Sequence, residues 1–253
     1  MVISCSIKNN KNFHMKKLFL SLITLITVAA FAQEQTVVAD ANAQKRTLAA
    51  GFTGISVSDG VDLYLTQGDE ESVAVSASDQ KYMERFKTEV ENGILKIYFD
   101  NKGINWAANE KRKLKAYVSF KTLEKLHASG GADVKVQGSL DVASLDIKFT
   151  SGSALNGKLK AKELTVEQNS GSSINISGSA DKIKVDVSSG AIFKSYDLAV
   201  DYCDAKASSG GGVRITINKE LSAKANSGGG VKYKGEGVIK EINVNSGGSV
   251  KKA

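Results

Sequence analysis

Seven Ser-Gly pairs recur at near-even spacing through the second half of this 253-residue chain: Ser129-Gly130, Ser151-Gly152, Ser170-Gly171, Ser189-Gly190, Ser209-Gly210, Ser227-Gly228 and Ser246-Gly247; Ser177-Gly178 falls outside that spacing. Successive intervals are 22, 19, 19, 20, 18 and 19 residues. A sustained period of about 19 to 20 residues restricts the chain to architectures in which each repeat stacks on the next, since one unit cannot bury its apolar face alone.

The pattern inside each repeat decides what the unit is. Six, four and two residues before the Ser stand Leu145/Ile147/Phe149, Leu164/Val166/Gln168, Ile183/Val185/Val187, Cys203/Ala205/Ala207, Leu221/Ala223/Ala225 and Lys240/Ile242/Val244. Between them lie Asp146/Lys148, Thr165/Glu167, Lys184/Asp186, Asp204/Lys206, Ser222/Lys224 and Glu241/Asn243. Apolar residues at a period of two predict half-buried strands; a helix would place them three and four apart. From Ser151 on, a small polar residue precedes each Ser, and Gly follows it, which predicts a tight corner. A second strand then begins at Leu155, Ile174, Phe193, Val213, Val231 and Val250. One repeat therefore makes one rung, and rungs pair in parallel about 4.8 Å apart. The predicted fold is all-β: a parallel β-helix with rungs of about 19 residues, right-handed by the general preference of parallel crossovers. Opposite charges in the outward columns, such as Lys148 and Glu167, fall on adjacent rungs.

The absence of proline fits a continuous ladder, because proline removes a backbone donor. Residues 1–32 read as a secretory signal peptide. Met15-Lys16-Lys17 is its basic start, Leu18 to Ala30 its apolar run, Ala30-Phe31-Ala32 its cleavage motif, and 1–14 an upstream extension. The protein is therefore expected to be exported: periplasmic, secreted or on the outer surface. Setting those residues aside leaves 221, and the formal charge falls from +7 to +3 because four lysines (Lys8, Lys11, Lys16, Lys17) go with them. Nucleic acid is accordingly not an expected partner, and no later segment is apolar enough for a membrane-spanning helix. Cys203 is then the sole cysteine and occupies an inward column, as a small core residue.

Residues 33–50 read as a flexible lead-in, 51–126 as an irregular N-terminal β cap, and 127–253 as the regular rungs. In the cap, strands are predicted at Ile55–Val57, Val61–Leu65 and Ser72–Ser76, with a helical turn or two from Asp79 to Phe86. A hairpin turning at Asn92-Gly93 should follow. Asn101 to Lys113 is a polar loop carrying Trp106, and Leu114 to Phe120 alternates again. The last rung looks uncapped apart from Lys251 and Lys252, an open edge that invites either protection by those lysines or self-association into a homo-oligomer.

Phe52, Ile55, Val57, Gly60-Val61-Asp62-Leu63, Leu65 and Gln67-Gly68 form a spaced pattern, followed by Asn92-Gly93, Leu95 and Ile97 and then the Ser-Gly rungs. This resembles the head GIN domain family of autotransporter-type adhesins over roughly residues 50–250. The resemblance implies an exported or envelope β-helical protein with an adhesive role, and it carries no catalytic residues across.

Sites of chemistry are sparse. A glycoside hydrolase needs paired carboxylates; Asp197, Asp201 and Asp204 are the nearest approach, for a polysaccharide-active enzyme or a calcium ion. His127 is the one histidine after the leader, too few for zinc beside a single cysteine. No cofactor is implied. Gly210–Gly212 and Gly228–Gly230 are corners rather than phosphate loops. Five residues after each Ser, however, stand Asn156, Asn175, Lys194, Arg214, Lys232 and Lys251. In register, the last four form a basic ladder, with Tyr233 and Lys234 nearby. Directly stacked like charges repel, so the ladder either finds acids alongside or has a partner: an acidic polysaccharide or a surface protein, bound by a non-enzymatic adhesin-like face.

Overall fold

The protein is described here from a computed structural model covering residues 40, 42–103 and 111–253. The expected signal peptide, residues 33–39 and 41 of the lead-in, and Trp106 lie outside the described residues.

The first strands are β1 (Gln44–Arg46), β2 (Gly54–Val57), β3 (Asp62–Gln67) and β4 (Ser72–Ser76). A single helical turn, α1 (Gln80–Met83), follows, and the Asp79 side chain caps it by accepting from the Lys81 N–H at 3.0 Å. Then come β5 (Phe86–Glu91), β6 (Ile94–Phe99), β7 (Lys115–Phe120), β8 (Lys125–Ala128) and β9 (Asp133–Gln137). The regular part comprises β10 (Leu140–Phe149), β11 (Ala154–Gln168), β12 (Ser173–Val187), β13 (Ile192–Ala207), β14 (Gly212–Ala225), β15 (Gly230–Lys234), β16 (Val238–Val244) and β17 (Ser249–Lys252).

These strands stack as a parallel β-solenoid of about seven turns. β10 to β14 pair in sequence, mostly 19 residues apart, so that Leu145, Leu164, Ile183, Cys203 and Leu221 form one inward column. Burial follows the predicted alternation, and Phe149, Val187, Phe193, Ala205 and Val213 are at most 1% exposed. Among the described residues Gln168 is the largest buried polar side chain, with Ser153, Ser172 and Ser195 buried as well. Its amide donates to the Ile192 carbonyl at 3.2 Å, while its Oε1 finds no partner.

The corners explain the Ser-Gly signal. In Thr150–Ser153 the Ser153 N–H donates to the Thr150 carbonyl at 3.2 Å, and Ser151 and Gly152 have φ of 54° and 73°. Positive φ at both central residues is the type I′ geometry. Serine adopts it at a cost that glycine escapes, and stacking offsets that cost. The Gly152 N–H donates to the Ser170 carbonyl at 3.0 Å, and Gly171 to Ser189 and Gly190 to Ser209 at 3.1 Å. The first predicted corner shifts by one residue. There the positive-φ pair is Gly130-Gly131, because Thr150 lies against Ala128 and Gly131 against Ser151. The 22-residue interval is thus 21 between equivalent positions. In the last rung, a register shift between Leu221 and Ser222 moves Lys240 out of the inward column, and Ile239 lies opposite Leu221 instead.

Sequence order and spatial order part company at the N-terminal end. The coil of β2 and β3 lies between β6–β7 on one side and β8–β9 on the other. The exposed end of that stack is closed by antiparallel strands, β5 on β6, and β4 on β7 with β1 beyond it. Part of the segment read as a lead-in is therefore a strand. The opposite end differs: among the described residues no strand pairs with the outer edges of β16 and β17. Ile242 and Val244, aligned on fully buried Ala223 and Ala225, stand 44% and 45% exposed.

Candidate ligand-binding face

Each regular coil has a limb after its corner and a limb before the next one, joined by a bend. Register places Lys194 beside Arg214, Arg214 beside Lys232, and Lys232 beside Lys251. Adjacent strands in a parallel sheet point equivalent residues the same way, so the four cations stand in one column about 4.8 Å apart. The column continues downward. Asn175 follows Ile174, whose partner Phe193 precedes Lys194, and Asn156 pairs with Asn175. Lys135 lies beside Asn156, then Tyr64 beside Lys135, and Tyr117 beside Tyr64.

Lys135 differs from the four cations above it. Its ammonium pairs with Asp133 at 3.0 Å and sits 5.4 Å from the centre of the Tyr64 ring, whose other neighbour is Tyr117, stacked at 5.0 Å. The Asp133 hydrogen bond raises the Lys135 pKa. No such partner reaches the four cations above: among the described residues, none of Lys194, Arg214, Lys232 and Lys251 enters an ion pair or side-chain hydrogen bond.

The flanks matter too. Toward the corner lie Ile192, 41% exposed, and then Gly212 and Gly230, which leave the side of the ladder unwalled. On the other side, Lys234 caps the Tyr196 ring at 4.6 Å, and the Thr216 hydroxyl donates to the Tyr196 carbonyl at 2.7 Å. Tyr196 lies seven residues after Ser189, a position with no common character across the repeats, so the sequence offered no signal for it. Tyr233, in contrast, is inward and buried beside Ile215.

The carboxylates singled out for catalysis are otherwise engaged or apart. Asp201 pairs with Lys219 at 2.7 Å and accepts from Asn218 at 3.2 Å, and these bonds lower its pKa. Asp197 and Asp204 sit outward and exposed on β13. Among the described residues, no three His, Cys, Asp or Glu side chains converge as a metal site. His127 lies in an outward column between Ser56 and Lys148; burial lowers its pKa, and its Nε2 has no partner. Burial pushes the Cys203 thiol up to about 12, which leaves it un-ionised. No helix among the described residues is long and apolar enough to cross a membrane.

Stacked parallel coils closed at one end by antiparallel strands define the class: a parallel β-solenoid. Within it, the chain belongs to the family described as "Putative auto-transporter adhesin, head GIN domain", whose profile matches residues 51–237. The chain is similar to a crystal structure of a "putative adhesin" from Bacteroides fragilis NCTC 9343, with TM-score 0.73 at 17% identity, covering 83% of this chain and 96% of that one. A "putative adhesin" from Parabacteroides distasonis ATCC 8503 gives TM-score 0.66 at 19% identity, covering 83% and 96%. A "Putative lipid binding protein" from the same strain gives 0.60 at 20%, covering 85% and 98%. At these identities the likeness carries the fold. No curated protein matches the chain.

Proposed function

We propose that this protein is an exported, non-enzymatic, adhesin-like binding module whose post-corner limb holds an anionic polymer of the cell surroundings. The observation that carries this reading is the unpaired ladder of Lys194, Arg214, Lys232 and Lys251, standing in register on four successive rungs. Like charges stacked this way repel in the free protein, and a polyanion relieves the repulsion. Family membership and the adhesin neighbours support the binding role. The test is a glycan array at low and moderate salt, with the triple variant Lys194→Gln, Arg214→Gln, Lys232→Gln as control. Salt-sensitive binding of acidic glycans, lost in the variant, is expected; unchanged binding by the variant sinks the reading.

The bare edge of β16 favours a second reading, self-association of two copies through their last coils. Val238 is 67% exposed and Ile239 46%, beside Ile242 and Val244. Concentration-dependent dimerisation by sedimentation velocity, abolished by Ile242→Lys, is its signature.

A further inference from the structure

Resting on the reading of this face as a polyanion site, we infer its ligand class: a linear polysaccharide with one carboxylate on every sugar residue, lying lengthwise along the solenoid axis. The argument starts from the backbone. The cations are not scattered on mobile loops. Each sits on a strand hydrogen-bonded to the next, so their anchor points keep the rung spacing of about 4.8 Å. Four anchors on successive rungs give three intervals of about one rung each, and a 1,4-linked uronic acid chain advances about one rung per residue. Inorganic polyphosphate places its charges closer together than one rung. A glycan acidic only at alternate sugars places them about two rungs apart and leaves half the cations unmatched.

The surroundings fit a sugar chain. Gly212 and Gly230 put no side chain beside Arg214 and Lys232, and a Cβ built at Gly212 meets nothing within 4 Å. Sugar rings can therefore lie close to the sheet, with carboxylates reached from either edge by the long cationic side chains. Ile192 flanks the first cation and offers an apolar edge to a ring face, while the Tyr196 ring on the other side is capped by Lys234. Below the cations, Asn156 and Asn175 are exposed and carry amides suited to hydroxyls. The Lys135–Asp133 pair closes that end. The face thus runs from a charged segment into a neutral, hydrogen-bonding one.

The experiment is calorimetric titration of the purified protein at low salt with oligogalacturonates of two to eight residues, hyaluronan oligosaccharides of equal carboxylate number, and inorganic polyphosphate. Affinity for the oligogalacturonates should rise about two- to fivefold per added residue up to four, and flatten beyond. Hyaluronan of the same charge should bind at least about tenfold more weakly. Lys232→Gln, which interrupts the ladder, should return the tetramer to the affinity of a dimer without altering the melting temperature by more than a degree or two. Equal affinity for hyaluronan or polyphosphate overturns the spacing, while loss of that binding in the triple variant still upholds a polyanion face. Absence of binding to every polyanion removes both.

Discussion

The two limbs of each coil share one core and one ladder, yet they treat charge in opposite ways. Before the corner and along the bend, cations meet carboxylates one rung away. Lys148 pairs with Glu167 at 3.2 Å, Lys206 with Asp186 at 2.9 Å, Lys219 with Asp201 at 2.7 Å and Lys240 with Glu220 at 3.0 Å. After the corner, four cations stand in line with no carboxylate between them. The stacking geometry is the same on both limbs, so the backbone does not account for the difference. It is written in side-chain choice alone, and it separates a face that balances itself from one that leaves its charge available.

The largest change tests what the limbs share. Phe193 is fully buried directly beside Lys194, and Phe193→Ala should cost about 3–5 kcal/mol of stability. Denaturant unfolding should show one transition, shifted; two separate transitions would break the idea of a common core. Next, Arg214→Glu inverts the middle of the ladder. Affinity for acidic glycans should fall roughly a hundredfold, while the new pairs with Lys194 and Lys232 raise folding stability by about 0.2–1 kcal/mol. A variant that binds worse and melts higher would show that the face gives up stability for its function. Chemical denaturation beside a binding titration reads both.

Smaller effects sharpen the contrast on the paired side. Lys206→Gln should cost at most about 1 kcal/mol, since the Lys206–Asp186 pair is half-exposed. The Asp186 hydrogen bond raises the Lys206 pKa. Its contribution is therefore complete below the unfolded lysine pKa, about 10.4, and fades as pH climbs through the raised folded value. For Asp201 the sign reverses. Its pKa is lowered by Lys219 and Asn218, so its contribution is present above the unfolded aspartate pKa, about 3.9, and disappears as pH falls through the lowered folded value. Thermal melts from pH 7 to pH 2 should lose less stability on acidification in Asp201→Asn than in the parent. The smallest effect is that of salt on folding. Raising ionic strength should weaken glycan binding steeply while the melting temperature moves by no more than a few degrees.

Much of this architecture was readable in the chain. Period-two alternation around each Ser-Gly pair placed Leu145, Ile147 and Phe149 inward with their counterparts on later rungs. The five-after-Ser count aligned Lys194, Arg214, Lys232 and Lys251 as the register does. Two departures from the expected register have a local insertion as their cause. Gly131 made Ser129-Gly130 imitate a corner that lies one residue on, and an extra residue near Lys240 handed its inward place to Ile239. Tyr233, near the ladder in sequence, shares the inward parity of Val231 and is buried.

By itself, then, the sequence determined the unit: strand, I′-compatible corner, strand, about 19 residues apart. These signals are local, and a period of two leaves a residue only two directions to face. Tertiary structure alone decided what depends on which strand meets which. The coil of β2 and β3 is enclosed by strands that come later in the chain, antiparallel β4, β5 and β1 cover one end, and Lys135 is taken up by Asp133 while the four cations beyond it are left unpaired among the described residues. No periodicity encodes such neighbours, because pairing between distant segments is settled by the packing and hydrogen bonding of the assembled coil.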